Sequence, residues 1–228
     1  MKISQDTLNI LKNFSGINKG IVLRKNKPLA TVSEMENIYA VAEIQESFPC
    51  DIGIYDLSEF LGTLGLFQSP VLDFGQDGQS NFVVIKEEGG KSTVKYRFDD
   101  ISLITSPSES YEIPSVEIEF DLTQTDIQKI QKACAIMGLK DIVIASTDGQ
   151  SVSVIARDPV NKLSNFYELG TEANSGGHKF EFVINAENMK LISGDYNVKA
   201  SKEGSVLFTN QKGNLSYLIA LEESSTYS

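Results

Sequence analysis

Residues 123–137, TQTDIQKIQKACAIM, decide how the rest of the chain is interpreted. The apolar side chains of this stretch recur at the spacing of one helix face: Ile127, Ile130, Cys134 and Met137. Thr123 is a favoured N-cap residue, and Gly138 follows as the expected C-cap. At about 100° per residue, Lys129 and Lys132 project nearly opposite the apolar stripe. The stretch therefore predicts an amphipathic surface helix with a basic polar face.

A similar helix opens the chain at Gln5–Phe14, where Lys12 falls on the polar side. After each of these helices come several short strands, a second helix and further strands. The second helices are predicted at Leu57–Leu66 and Ala186–Ile192. The sequence therefore predicts two copies of one unit with two helices each.

Short apolar runs between turn residues predict a largely antiparallel α+β fold. In the first half the predicted strands are Gly20–Arg24, Leu29–Ser33, Ile38–Glu43, Pro49–Tyr55, Val71–Gly75, Asn81–Ile85, Thr93–Phe98 and Ile101–Thr105. In the second half they are Val116–Asp121, Asp141–Ser146, Ser151–Arg157, Leu163–Leu169, Lys179–Val183, Tyr196–Ser201, Val206–Thr209 and Leu215–Leu221. The hairpin signals are Asp77-Gly78, Gly89-Gly90 and Asp148-Gly149, and a loop is expected at Gly170–Gly177.

The stretch Ser106–Ser115, with two prolines and four serines, predicts a linker between the halves. The predicted organisation is a first unit over residues 1–107, a linker over 108–115 and a second unit over 116–228.

The composition of the 228 residues is that of an ordinary globular protein, with 20 basic and 31 acidic side chains and a net charge of −11. Such acidity disfavours nucleic-acid binding over the whole surface but permits it on one restricted face. No apolar run approaches the roughly 18–20 residues of a membrane span, and the polar N-terminus lacks a secretory signal. Cys50 and Cys134 are isolated thiols, expected as small hydrophobic residues in a reducing cytoplasm.

Catalytic chemistry is poorly represented. The lone histidine, His178, lies in a Gly-Gly-His-Lys stretch and is expected in an exposed loop. No catalytic triad, zinc site, phosphate loop or dinucleotide turn can be assembled from the sequence. The carboxylate pairs Asp99-Asp100, Glu87-Glu88 and Glu222-Glu223 lie next to turns or near the C-terminus, where solvation explains them. We therefore predict no catalytic residue, metal or cofactor, and a carboxylate-based metal-dependent nuclease is the enzymatic alternative.

The lysines are the remaining functional signal. Their ordinary explanation is a solvated helix face. Their functional explanation is point-charge contact with nucleic-acid phosphates, which carries no sequence information and suits a protein that slides on a duplex. The candidates on or beside the predicted helices are Lys2, Lys12, Lys19, Lys129, Lys132, Lys140 and Lys190.

Four blocks of the sequence resemble the sliding clamps of T-even-type bacteriophages. They are Met1–Gly20, Tyr55–Gly62, Phe180–Lys190 and Tyr217–Thr226. The blocks occur in order and bracket the whole chain, and the strands between about Leu23 and Pro49, and between Leu66 and Ser115, match only in pattern.

The resemblance implies a homotrimeric ring in which each subunit contains two clamp units of antiparallel sheet, with helices around a central hole. Duplex DNA would pass through the hole, and the ring would tether the replicative DNA polymerase in the cytoplasm of an infected bacterial host. An ATP-dependent clamp loader is the implied opener, and late transcription is a further implied role. The family consists of processivity factors without catalytic activity.

The resemblance also implies site residues. Lys12, Lys129, Lys132 and Lys190 would face DNA, with Lys140, Lys2 and Lys19 as further candidates. A pocket for a partner's hydrophobic peptide would be lined by Tyr111, Ile113, Pro114, Tyr217, Ile219 and Leu221, for which ordinary core packing is the alternative explanation. Subunits would join by pairing Ile101–Thr105 with an edge strand near Leu163–Leu169. The end of the chain, Thr226-Tyr227-Ser228, departs from the acidic, phenylalanine-terminated tail of the family.

The main competing hypothesis is a structural or scaffold protein of a phage virion. Doubled β-rich units that pair through sheet edges would serve that role as well. A virion role predicts open or higher-order assemblies, whereas a clamp predicts a discrete trimer.

Overall fold

A computed structural model of the chain describes residues 1–75, 81–107, 111–161 and 163–228. Within these ranges the chain has an α+β fold with antiparallel sheets, as predicted. The chain divides into two compact units, residues 1–110 and 111–228. Two predicted features fall outside the described residues: the hairpin signal Asp77-Gly78 and the first three residues of the predicted linker. In the described ranges, no helix combines the length and apolar character that crossing a membrane requires.

The first unit contains two α-helices and seven strands among its described residues. Their bounds are α1 Gln5–Phe14, β1 Ile21–Leu23, β2 Leu29–Val32, β3 Ile38–Ala42, β4 Ile52–Ile54, α2 Leu57–Leu64, β5 Pro70–Asp73, β6 Phe82–Glu87 and β7 Thr93–Arg97. Strand β1 pairs with β4, β2 pairs with β3, and β5-β6-β7 form a sheet in that order. Gly89, at φ +73°, turns the chain between β6 and β7, which confirms that hairpin signal.

In the second unit one α-helix accompanies nine strands within the described ranges. Their bounds are β8 Ile118–Leu122, α3 Gln124–Met137, β9 Asp141–Ser146, β10 Ser151–Arg157, β11 Tyr167–Asn174, β12 Phe180–Asn185, β13 Tyr196–Ser201, β14 Ser205–Asn210, β15 Leu215–Ala220 and β16 Thr226–Tyr227. The strands lie in the orders β15-β14-β13-β8 and β11-β10-β9-β12-β16.

Helix α3 forms as the sequence predicts. The Thr123 side chain accepts a hydrogen bond from the Asp126 amide, and the Asp126 carboxylate accepts one from the Thr123 amide, which completes a capping box. Gly138 ends the helix at φ +66°, a left-handed conformation that side chains with a Cβ rarely adopt. The buried face of α3 consists of Ile127, Ile130, Ala133 and Cys134.

Helix α1 is held by a carboxylate from outside the helix. Ser4 is its N-cap and accepts a hydrogen bond from the Thr7 amide at 3.3 Å. The buried Thr7 hydroxyl donates to the Glu46 carboxylate at 2.6 Å, and the Ser4 amide donates to the same carboxylate. Together with the buried Leu11 and Phe14, these bonds fix the face of α1 that turns toward the core.

The predicted strand Ile101–Thr105 is wrong. Residues Ile101–Leu103 form a 3-10 helix, because the Asp100 carboxylate accepts hydrogen bonds from the Ser102 amide at 2.9 Å and the Ser102 hydroxyl at 2.8 Å. This local bonding of an aspartate to the backbone competes with an extended strand. The last strand of the first unit within the described residues is therefore β7.

The predicted α-helix at Ala186–Ile192 is also wrong, because only Ala186–Asn188 are helical and they form a 3-10 turn. Side chains from elsewhere bond to the backbone beyond this turn. Gln131 donates to the Met189 carbonyl at 3.0 Å, the Tyr196 hydroxyl donates to the Ile192 carbonyl at 2.7 Å, and the Tyr217 hydroxyl accepts from the Ile192 amide at 3.3 Å. These bonds replace those that would extend a helix.

Strand β11 begins and ends later than predicted, and it runs through part of the loop expected at Gly170–Gly177. The Asp158 carboxylate accepts from the Val160 and Asn161 amides, and the Asn161 side chain accepts from the Leu163 amide. These side-chain turns delay the start of the strand. Pairing with β10 then carries the strand from Tyr167 to Asn174.

Candidate nucleic-acid interface

The exposed side of α3 carries Lys129 and Lys132. The nearby carboxylates are engaged at the N-terminus of the helix, where Asp126 completes the capping box and Asp195 accepts from the Gln124 amide at 2.7 Å. Within the described ranges, neither lysine forms an ion pair of 4.0 Å or less. The helix thus separates its acidic first turn from its basic exposed face.

Two further predicted lysines are brought to the neighbourhood of α3 by backbone contacts. The Gln131 bond to the Met189 carbonyl ties the segment before Lys190 to the helix. The Ala186 amide donates to the Lys140 carbonyl at 2.8 Å, which ties the 3-10 turn to the residue that precedes β9. Both lysines have exposed side chains. We call Lys129, Lys132, Lys140 and Lys190 the α3 lysine face.

Gln131 was not among the residues predicted from sequence. Its position next to Lys132 on a predicted amphipathic helix gave no sign of a carbonyl acceptor 58 residues later in the chain. The signal that was present, a polar side chain between the apolar and basic faces, is common to many solvated helices.

In the first unit, Lys12 is exposed on α1 and lies at a groove of about 580 Å³ between α1 and α2. No carboxylate lines this groove among the described residues, and its polar lining consists of Gln5, Asn9, Lys12, Ser15, Ser58 and Gln68. The groove is therefore rich in neutral hydrogen-bonding groups and carries a single positive charge.

Lys2 and Lys19 differ from the other candidates because both are paired with carboxylates. Lys2 lies 3.1 Å from Glu88, and Lys19 lies 3.4 Å from Asp56 with its ammonium 5.0 Å from the centre of the Tyr55 ring. A hydrogen bond from the Glu59 amide, aided by Lys19, lowers the pKa of Asp56. Exposed pairs of this kind contribute little to stability, so both lysines are weakly held.

The six residues of the predicted peptide pocket differ in exposure. Tyr111 and Pro114 are exposed, and Ile113 and Leu221 are half-buried. Tyr217 and Ile219 are fully buried on β15. Burial raises the pKa of Tyr217, whose hydroxyl is bonded within the unit. These two side chains pack in the core of the second unit.

Comparison with known proteins gives matches in both halves of the chain. Residues 4–97 match the family described as DNA polymerase processivity factor. Residues 119–223 match the family described as gp45 sliding clamp, C terminal.

Related proteins match over the full length. The sliding clamp of Vibrio phage KVP40 is 30% identical over 226 residues, which cover 97% of this chain and 99% of the relative. The sliding clamp of Escherichia phage RB69 is 31% identical over 235 residues, with 100% and 99% coverage. That of Enterobacteria phage T4 is 30% identical over 236 residues, with the same coverage.

Solved structures with low sequence identity share the fold. PCNA from Thermococcus kodakaraensis has a TM-score of 0.67 at 14% identity and covers 96% of both chains. PCNA of A. fulgidus, solved with the C-terminal region of FEN-1, has a TM-score of 0.68 at 13% identity, again with 96% of both chains covered. The fold and the full-length relatives agree, and this chain belongs to the sliding clamp family, the non-enzymatic processivity factors of DNA polymerases.

Proposed function

We propose that three copies of this chain close into a ring around duplex DNA, with α1 and the α3 lysine face turned toward the phosphates. The observation that carries this proposal is the separation of exposed lysines from carboxylates on α3, in a chain whose net charge is −11. The ring would tether the replicative DNA polymerase of a phage, in the cytoplasm of the infected bacterial host.

The chemistry of the α3 lysine face suits sliding. Lysine ammonium groups make point-charge contacts with phosphates and read no base sequence. A closed ring remains on DNA because it cannot leave sideways, so each contact can stay weak and the ring can move along the duplex. The acidic remainder of the surface repels DNA and favours the lysine-bearing face.

Two terminal strands provide a seam between copies. Strand β7 ends the sheet β5-β6-β7, and β11 ends the sheet β11-β10-β9-β12-β16. The exposed side chains of β7 include Lys95 and Arg97, whereas those of β11 include Glu168 and Glu172. An end strand offers a row of backbone donors and acceptors to another chain, and these two strands offer it with opposite charge.

The faces of the two strands also match. Tyr96 of β7 packs edge-on against Phe60 of α2 at 5.0 Å, so Lys95 and Arg97 point away from that helix. Helix α3 packs beside β11, whose exposed glutamates alternate with half-buried side chains. Pairing β7 of one copy with β11 of the next would therefore set the charged side chains on one common face, where opposite charges attract.

This seam replaces the one predicted from sequence, because Ile101–Leu103 form a 3-10 helix and offer no strand. The contact is head-to-tail, so identical contacts close a ring when the rotation between copies closes. A trimer requires three such seams.

Charge exchange at the seam tests the ring. We expect Lys95→Glu with Arg97→Glu to shift the trimer toward monomer in sedimentation velocity, since like charges then face each other. Glu168→Lys with Glu172→Lys should do the same, and all four changes in one chain should restore the trimer.

Lys27→Glu with Lys212→Glu, both exposed in loops, is the control of equal charge change. Unaltered trimers in both pairs would overturn this seam, and open-ended assemblies would favour the virion hypothesis.

We further propose that an ATP-dependent clamp loader opens the ring and that partner peptides bind at Tyr111, Ile113 and Pro114 with Tyr217, Ile219 and Leu221. Peptide binding by a protein of the same fold supports this, since the A. fulgidus PCNA structure contains the C-terminal region of FEN-1. We also propose a role in late transcription, in which a late-transcription factor would bind at the same pocket.

Primer extension with the cognate polymerase and loader tests these partners. Tyr111→Ala, a change at an exposed side chain, should shorten products while DNA loading persists. Full-length products from this variant would remove Tyr111 from the proposed pocket. Processive synthesis that needs neither loader nor ATP would contradict the proposed opening step.

A further inference from the structure

The C-terminal tail, residues 222–228, lies along the outer side of β12. The Ser228 amide donates to the Lys179 carbonyl at 2.8 Å, and the Lys179 amide donates to the Ser228 carbonyl at 3.0 Å. Strand β16 then pairs in antiparallel register with Phe180 and Glu181. Farther along, Val183 donates its amide to the Ser225 hydroxyl at 2.9 Å and accepts from the Glu222 amide at 2.8 Å. Without the tail, β12 would be an open sheet edge.

The same tail covers a row of aromatic side chains. His178, Phe180 and Phe182 alternate along one face of the chain, and the rings of Phe180 and Phe182 stack with centres 4.7 Å apart. The Tyr227 ring stacks 5.1 Å from His178, 6.3 Å from Phe180 and 6.1 Å from Phe182. Tyr227, which differs from the phenylalanine-terminated tail of the family, thus stacks on His178, for which no catalytic role is predicted.

The tail fills this site only in part. A cavity of about 320 Å³ remains beside Tyr227, bordered by Phe182, Lys202 and Leu221. Between Ser224 and the chain end, Tyr227 is the single aromatic anchor, and the neighbouring side chains are serine and threonine.

Charge around the anchor is mixed. The Lys202 ammonium lies 5.6 Å from the centre of the Tyr227 ring and 3.6 Å from the Glu117 carboxylate. Glu181 is likewise paired with Arg157 at 2.8 Å, and the cavity is also lined by Glu203, Glu222 and Glu223. Small uncharged side chains, such as the serine and threonine of the tail, therefore suit the positions beside the aromatic ring.

We propose that the outer edge of β12 is a strand-addition site for an extended segment of a partner protein, with an aromatic side chain at the position of Tyr227 and small uncharged side chains beside it. The tail of this chain occupies the site until the partner segment replaces it. Backbone pairing gives such a site its affinity, and the aromatic row and the adjoining cavity give it side-chain preference. The proposal is independent of DNA encirclement.

The tethered tail competes with any free peptide because its local concentration is high. Linked segments act at effective concentrations in the millimolar range, so removal of the tail should strengthen peptide binding by about tenfold or more.

The test uses the full chain, a chain that ends at Leu221, and a fluorescein-labelled peptide with the sequence of residues 222–228. Fluorescence anisotropy should show saturable binding to the shortened chain and at least about tenfold weaker binding to the full chain. A peptide with Tyr227→Ala should lose most of the affinity. Equal binding to both chains, no binding to the shortened chain, or indifference to the tyrosine would overturn the proposal.

A second variant guards against misfolding of the shortened chain. Tyr227→Ala in the full chain should speed hydrogen exchange at the Lys179 and Val183 amides and strengthen binding of the labelled peptide. Tyr55→Ala, at an exposed tyrosine of the first unit, is the matched control and should change neither. Unchanged hydrogen exchange together with unchanged peptide binding would overturn the proposal. Swapping of tails between copies, seen as a concentration-dependent increase in assembly size, would also overturn it.

Discussion

Helices α1 and α3 begin corresponding halves of a repeated fold, yet they present different chemistry. Helix α1 carries the single exposed Lys12 beside a groove lined by neutral side chains. Helix α3 carries Lys129 and Lys132, and hydrogen bonds bring the segments of Lys140 and Lys190 to its neighbourhood. Buried positions fix the fold and exposed positions are free to vary, so the two units share an architecture without sharing a charge pattern.

The two helices are also anchored differently. Helix α3 depends on its own capping box and Gly138, whereas α1 depends on hydrogen bonds to Glu46. The first anchoring is local in sequence and the second is not. The comparison predicts that DNA contact depends mainly on the second unit, and that acid weakens the first unit's helix.

Reversing charge on α3 should have the largest effect. In Lys129→Glu with Lys132→Glu, each ring loses six phosphate contacts and gains six repulsive charges if it is a trimer. We expect product length in primer extension to fall by about tenfold or more, with the sharpest loss at high salt. The trimer should persist in sedimentation velocity.

The control for this pair is Lys27→Glu with Lys212→Glu, which makes the same change in net charge on exposed loops. Equal loss of processivity in the control would show that net charge matters and the location of the lysines does not.

Lys12→Glu should have a smaller effect, because α1 offers one charge among neutral groups. We expect product length to fall by about threefold or less. A loss of product length equal to that of the Lys129→Glu with Lys132→Glu variant would contradict the prediction that DNA contact depends mainly on the second unit.

Gln131→Leu tests how the α3 lysine face is assembled. The change leaves the Met189 carbonyl without its side-chain donor, and we expect the free energy of unfolding to fall by about 1 kcal/mol. Hydrogen exchange should quicken at residues 189–192, and processivity should fall less than for the α3 charge reversal. Unchanged exchange there would show that the bond does not hold the segment of Lys190.

Glu46→Gln tests the anchor of α1. Burial raises the pKa of Glu46, but hydrogen bonds from Thr7 and Ser4 outweigh it, so the pKa lies below its ordinary value of 4.5. The carboxylate therefore stabilises the folded state above the unfolded pKa, and this contribution is lost as pH falls through the lower folded-state value.

We expect the glutamine variant to be less stable than the wild type by about 1 kcal/mol near neutral pH, and the difference should shrink as the pH falls below the pKa of Glu46 in the folded state. Urea unfolding across this range measures the difference. A constant difference at all pH values would contradict the role of the charge.

Local sequence signals predicted the parts of the fold that local interactions determine. The caps and apolar stripe of α3 and the Gly89 turn follow from spacing and backbone preference. The 3-10 turn at Ala186–Asn188 did not follow, because side chains distant in sequence, such as Tyr196 and Gln131, bond to its continuation. The delayed start of β11 required recognition of the bonds made by Asp158 and Asn161.

The DNA-contact site was predicted only as a set of exposed lysines. Their exposure follows from helix periodicity, but the pairing of Lys2 with Glu88 depends on contacts across 86 residues. The charge complementarity of β7 and β11 does not follow from the sequence patterns, because those patterns predict Ile101–Thr105 as the last strand of the first unit. The stacking of Tyr227 on His178 could not be inferred from the sequence, because neither residue lies in a pattern that predicts contact with the other.

The most direct test of the account is retention on DNA of different topology. Fluorescent rings are loaded with the cognate loader onto nicked circular duplex, and the DNA is then cut once with a restriction enzyme. We predict stable retention on the circle, rapid loss after cutting, and retention again when both new ends carry a bulky bound protein. Equal retention on cut and uncut DNA with free ends would show binding by affinity and would contradict encirclement.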